Sequence, residues 1–219
     1  MNMHKLVTGF ALLILMLSFS QSQIAYAQGF TGKIILGING AQVDGDGFGG
    51  YYRAGLLAGV GATFKINDHW SIGPEFLYSG KGSQVTLDQM NELGLPRVIY
   101  KLNYIDLPLI ATYTVRDNFR CMAGLSVNYL LVAEIDNGGN LGFVDQRELF
   151  QSFDYQALVG MEYQVFDHVW LQGRWSYSVV SINKVGNTNP GFPSITGQRG
   201  GYFNNLLQFS LRFDLKMGG

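Results

Sequence analysis

The chain has 219 residues, of which 14% are charged, 14% are aromatic and 29 are glycine, and its formal net charge is −1. Soluble domains carry about 25% charged residues, so the composition argues against an ordinary water-facing surface, and the lack of a basic block argues against nucleic-acid binding. The single cysteine, Cys121, excludes an internal disulfide in the chain as given.

Residues 1–27 read as a secretory signal peptide. His4 and Lys5 precede an apolar run from Leu6 to Leu17, and Ala25-Tyr26-Ala27 matches a small-residue cleavage pattern. The run is shorter than the roughly 20 residues a spanning helix needs. Gln28 rather than a cysteine follows the expected cut, which argues against a lipid anchor. Residues 28–219 are then one domain. They contain no apolar run long enough for a helical span, so membrane insertion would require a closed sheet.

Eight segments with a two-residue period follow, at roughly 32–43, 51–66, 70–80, 98–115, 119–133, 154–166, 169–181 and 201–215. The first is the least regular. The second sets Leu56, Ala58, Val60, Ala62, Phe64 and Ile66 against Arg53, Gly55, Gly59, Gly61, Thr63 and Lys65. In the sixth, Tyr155, Ala157, Val159, Met161, Tyr163 and Val165 oppose Gln156, Leu158, Gly160, Glu162 and Gln164. Each segment reaches the 9–11 residues that a tilted strand needs to cross a bilayer. Cys121 falls on an apolar face and reads as a small packed or lipid-facing residue, not a nucleophile.

The connections alternate in length. Asn67-Asp68-His69, Arg116-Asp117-Asn118 and Asp167-His168 are short, whereas 44–50, 81–97, 134–153 and 182–200 are long. An up-and-down barrel with short periplasmic turns and long outer loops has this rhythm, and an even strand count places both termini in the periplasm. Aromatic residues gather near the short turns (Phe64, Trp70, Tyr113, Phe119, Phe166, Trp170 and Phe213), as an interfacial girdle requires. The expected fold is therefore all-β, an eight-stranded antiparallel up-and-down transmembrane β-barrel. Periodicity alone leaves open which face is inside, so a secreted soluble lipocalin-like carrier is the structural alternative.

The less apolar faces carry Lys65, Glu75, Asp106, Arg120, Glu162, Arg174 and Arg212. Isolated charges inside a barrel would be costly, so these seven are expected to form an interior polar network. With Trp170, Leu158 and Tyr104 on the same faces, they are expected to fill the lumen. Asp44-Gly45-Asp46-Gly47 matches only the start of a calcium loop and reads as a loop tip. His69 and His168 read as turn residues, with nothing to complete a metal site. No catalytic, cofactor-binding or metal-binding constellation emerges, and no cofactor is implied.

Trp70-Ser71-Ile72-Gly73-Pro74-Glu75-Phe76-Leu77-Tyr78-Ser79, then Lys81-Gly82, and later Tyr104-Ile105-Asp106-Leu107-Pro108-Leu109, carry a family likeness. On these motifs the chain resembles the outer-membrane β-barrel domain family of Bacteroidota, which includes the PorT-like group. The matching positions are Pro74, Glu75, Leu77, Tyr78, Ser79, Lys81, Gly82, Tyr104, Asp106, Pro108 and Leu109. Phe76 replaces the usual Leu and Asp106 the commoner Glu. The resemblance implies an eight-stranded outer-membrane barrel without a catalytic role, and some relatives resemble assembly factors of secretion and gliding machinery.

The functional expectation is a structural or interaction barrel in the bacterial outer membrane, an accessory subunit of an envelope or secretion-associated assembly. A small porin or ligand-binding barrel is the alternative, and an enzyme has no positive support. The expected partners are outer-membrane lipid and a protein reached through loops 81–97, 134–153 or 182–200. Apolar residues in 134–153 either present a partner patch or fold back over the barrel mouth.

Overall fold

The computed structural model describes residues 30–47, 49–94, 97–184 and 201–215. The chain divides into a segment of residues 1–30 and a compact unit of residues 31–219. The expected signal peptide, and residues 185–200 of the last long loop, lie outside the described residues.

The strands are β1 (Phe30–Asp44), β2 (Arg53–Lys65), β3 (Trp70–Gln84), β4 (Ile99–Arg116), β5 (Phe119–Asp136), β6 (Val144–Asp145), β7 (Phe153–Phe166), β8 (Val169–Ser178) and β9 (Phe203–Leu215). Eight of them close a ring in the order β1-β2-β3-β4-β5-β7-β8-β9, with β9 returning to β1. Every pair with a resolved register is antiparallel, and each long strand except the first and last pairs with its neighbours in sequence around the ring. Closure removes the exposed edges that an open sheet would leave. The short β6 is an outer addition that pairs with the end of β5.

The turns at one end are tight for visible reasons. Asn67 Oδ1 accepts from the backbone N–H groups of His69 (3.0 Å) and Trp70 (2.8 Å), replacing ladder bonds where the chain reverses. Arg116 pairs with Phe119 and Phe166 with Val169, leaving two residues in each turn. His168 takes φ 65°, a conformation that His tolerates better than β-branched residues. Gly32 of β1 pairs with Leu215 of β9, so both described ends share this rim.

The two faces of the wall are resolved in one direction. Leu56, Val60, Phe76, Leu107, Leu109, Leu125, Val159, Met161 and Phe209 are exposed, whereas Glu75, Asp106, Glu162, Arg174 and Arg212 are buried. Apolar outside and polar inside is the reverse of a soluble carrier, and it is the arrangement of a lipid-facing barrel. Trp170, expected both near the girdle and on the inner face, takes the inner face. It is 2% exposed and points inward, with the Arg120 guanidinium 3.6 Å above its ring. Its even register with Glu162 and Gln172 puts it on the inner face, where a cation can stack on it. Trp70 and Tyr113 remain outside, with ring centroids 5.0 Å apart.

The long connections contain structure that periodicity alone does not announce. β3 runs on to Gln84, and helix α1 (Leu87–Leu93) follows. Thr86 and Gln89 form a reciprocal capping box, and Gly94 ends the helix at φ 64°. After β6, a single 3-10 turn spans Arg147–Leu149.

Candidate functional site

The barrel interior is occupied along its height. Nearest the short turns, Arg120, Glu162, Gln172 and Ser210 are successive register partners on β5, β7, β8 and β9. Glu162 receives Arg212 at 2.8 Å, Arg120 at 3.1 Å and Gln172 Nε2 at 2.6 Å, while Arg212 Nε also donates to Asp214 at 2.7 Å. One carboxylate therefore answers two guanidinium groups, with an amide and a second carboxylate completing the shell.

Gln172 carries the network upward. Its Oε1 accepts from Arg174 Nη2 and from Ser210, each at 3.1 Å. Arg174 makes a bidentate pair with Glu75 at 2.6 and 2.9 Å, and Lys33 reaches the same carboxylate at 2.6 Å. Gly61 makes room for this triad, since a Cβ there would lie 2.7 Å from Lys33 Cε and 2.9 Å from Glu75 Cγ. Above it, Asn39 donates to Ser79 and to the Gly80 carbonyl, both at 2.9 Å, and accepts from Gln208 at 3.2 Å.

A second ionic tier centres on Lys81. Its ammonium lies 2.9 Å from Asp106, 3.8 Å from Asp154 and 4.6 Å from the centre of the Tyr104 ring. Asp106, Asn128 and Asp154 are successive register partners on β4, β5 and β7. In the amide orientation that satisfies both ends, Asn128 donates to Asp106 and accepts from Lys81, each at 3.2 Å. Asp154 also accepts from Ser178 (2.7 Å), Gln156 (2.7 Å) and Asn204 (2.9 Å).

Six of the seven residues expected in the interior network therefore make ion pairs inside the barrel: Glu75, Asp106, Arg120, Glu162, Arg174 and Arg212. Lys65 does not. Its side chain is 58% exposed and pairs with Asp68, because it ends β2 at the short-turn rim, beyond the enclosed section. Sequence reading misses Lys33, Lys81 and Asp154. Lys33 lies in the least regular segment, Lys81 falls in a stretch that reads as a loop, and Asp154 sits at the very start of a strand.

The mouth is covered by an apolar cluster. Val43, Val85, Val98, Leu102, Ile135, Phe150 and Ile182 pack together, with Met90 of α1 against them. Phe150 comes from the 134–153 connection and is 2% exposed, so this segment does fold back over the mouth. It is held there by main-chain bonds: Gln151 N–H donates to Ile182 (2.7 Å), and Lys184 N–H donates to Leu149 (2.9 Å). Leu141, at 86% exposure, and Phe143 stay outside on the β5–β6 turn. In the first long loop, Asp46 accepts from Ser83, while Asp44 accepts from Asn205 at 3.2 Å and from Gln42. Both carboxylates of the calcium-like fragment thus serve internal bonds.

An open cleft of about 570 Å³ lies beside the 3-10 turn, between exposed Tyr129 and Arg147 and the buried Leu130 and Phe150. Arg147 donates to Asp145 through its backbone N–H (3.0 Å), Nε and Nη2, and these bonds hold the Asp145 carboxyl below its usual range. Among the described residues, no three His, Cys, Asp or Glu side chains converge on a point that would hold a metal ion.

The family model of the outer membrane protein beta-barrel domain matches residues 19–184. The chain belongs to this family. Three solved structures are similar to the chain, the first of them at the level of fold. The attachment invasion locus protein Ail of Yersinia pestis is 9% identical, with 85% of this chain aligned to 99% of that one at a TM-score of 0.50. Neisserial surface protein A is 16% identical over 87% of this chain and 100% of its own, at a TM-score of 0.49. A major outer membrane protein of Thermus thermophilus is 11% identical over 87% and 100%, at a TM-score of 0.45. No curated protein sequence matches the chain. As an outer membrane protein beta-barrel domain, the chain crosses the outer membrane with its strands, and its exposed apolar wall is the surface that meets lipid.

Proposed function

We propose that this outer-membrane barrel is a closed, non-enzymatic interaction protein whose wall is an anchor and whose loop end engages another envelope component. The observation that carries this reading is the continuous filling of the lumen. Two ionic tiers and an apolar cap occupy the space that a small porin would keep for solute. Eight strands enclose little more than side-chain volume, and these described side chains take up that space.

A secretory leader over residues 1–27, an export-competent domain over 28–219 and periplasmic termini complete the proposal. Support for the orientation comes from the short turns sharing a rim with both described strand ends. The motifs around Glu75 and Asp106 support a place near the PorT-like group of Bacteroidota, and with it a role as an accessory subunit of a secretion-associated or other envelope assembly. Loops 81–97, 134–153 and 182–200 are the proposed partner contacts, and no cofactor enters the reading.

The test is photo-crosslinking in intact cells. A photoreactive residue at Leu141 should give one discrete protein adduct, while the same residue at Leu125, on the exposed apolar wall, should give none. Lipid-only adducts at Leu141, and at equivalent positions in the other two loops, would contradict an interaction role. A ligand-binding barrel would instead show a saturable small-molecule adduct with no protein partner.

A further inference from the structure

Closure of the ring leaves β6 as the one strand paired on a single side among the described residues. It meets β5 at Glu134↔Asp145 and Ile135↔Val144 and stands at the end of the sheet order. Gln146 N–H donates to Ala133 (2.8 Å), so the main-chain groups of Val144 and Gln146 face β5. Alternation turns the N–H and C=O of Asp145 the other way. Neither group has a backbone partner among the described residues, and Phe143, Val144 and Asp145 are all exposed. An open strand edge of this kind is a template for another strand.

Two hollows flank the edge, one on each face. Val144 shares a face with its register partner Ile135, and with Leu141 they line a largely apolar hollow of about 350 Å³. Asp145 points to the opposite face, where it lines the open cleft of about 570 Å³ with Arg147, Glu148 and Lys184. Glu148 and Lys184 are exposed and enter no ion pair among the described residues.

These features define the occupant. A strand laid along β6 sends successive side chains to opposite faces, so one enters the apolar hollow and the next enters the cleft. A charged residue of either sign finds a counter-charge there, in Glu148 or Lys184. A second copy of the chain does not fit. Two barrels in one membrane, related by a two-fold axis along its normal, would present their β6 edges in parallel, with identical residues level. A parallel ladder needs its bonded residues staggered, so the two edges could not pair.

We propose that β6 is an acceptor edge for an extended segment of another envelope protein, added as a strand against Asp145. The segment carries a large apolar residue for the hollow and, next to it, a charged residue for the cleft. Main-chain bonds supply affinity and the two hollows supply specificity. This rests on the interaction role proposed above and names its contact within 134–153.

The test is selection of a phage-displayed library of random octapeptides on the full-length protein in nanodiscs. Selected peptides should share a large apolar residue beside a charged one. A synthetic copy of the strongest binder should bind Asp145→Pro about fivefold or more weakly than Asp145→Ala, the effect of one lost hydrogen bond. Both variants lack the carboxylate, but only proline lacks the outward N–H, and an edge position tolerates it. Leu141→Asp, which brings a charge to the hollow, should weaken binding by a similar factor. Equal affinity for the proline and alanine variants would overturn the proposal. So would a library that yields no binder, or binders whose apolar residue can be replaced by serine without loss. Heat-modified gel mobility identical to the parent shows that each variant is folded. Peptide selection needs no cellular partner, so its failure beside a persisting Leu141 photo-adduct sinks the acceptor edge and not the interaction role.

Discussion

Glu75 answers two buried cations at once, with Arg174 in bidentate contact and Lys33 at 2.6 Å. Removing it strands both charges in a section closed to water, and breaking a buried pair in this way costs about 3–5 kcal/mol. The Glu75→Ala protein should therefore unfold in urea, from detergent micelles, with a stability loss of that order. Lys65→Ala should change stability by less than about 0.5 kcal/mol, since its pair with Asp68 is exposed. Equal effects of the two substitutions would contradict the interior network. The contrast also shows what was legible at this scale. Charges on regular alternating strands, such as Glu162, Arg174 and Arg212, could be assigned a face from the sequence. Lys65 shares that parity, but a strand end has no interior to point into. Lys33 escaped notice because the first strand interrupts its alternation with Gly32, Gly37 and Gly40.

Strands and loops divide by the same physics. The short turns, the strand positions and the closed ring follow from a two-residue period and a strict alternation of connection length. The extensions of β3 to Gln84 and β5 to Asp136 were less visible, because there both faces are largely buried and the lipid-facing signal ends. Helix α1 did carry a sequence sign in Thr86 and Gln89, a capping spacing, though in a segment too short for helical periodicity to register. Two expectations belong to these elements. Leu125, on the outer face of β5, is 69% exposed, and Leu125→Arg should destabilise the barrel by about 2–4 kcal/mol if it sits near the bilayer midplane. Leu141→Arg, at the outer turn, should leave stability within about 0.5 kcal/mol, as urea titration in lipid vesicles will show. Phe150→Ala should loosen the mouth without melting the wall, because its packing lies in the loop layer above the ladder. Limited proteolysis should then show faster tryptic cleavage after Arg147 and Lys184, with the main thermal transition unchanged.

At the scale of the whole molecule, the fold solves one problem with two surfaces. The outside has no charge to hide from lipid over the band of exposed apolar residues, and the inside gathers its charges into pairs that fill the lumen. A filled interior would also make the barrel a rigid platform for its outer loops, which is where the proposed partner contacts lie. The central claim, that the barrel is closed, can be read directly in planar lipid bilayers. The purified protein, shown by heat-modified mobility to be inserted and folded, should produce no steady current steps in symmetric salt at moderate voltage. Reproducible open steps on the order of a nanosiemens would contradict the account, because no such current can pass Glu162, Glu75 and Lys81 while their ion pairs remain in place.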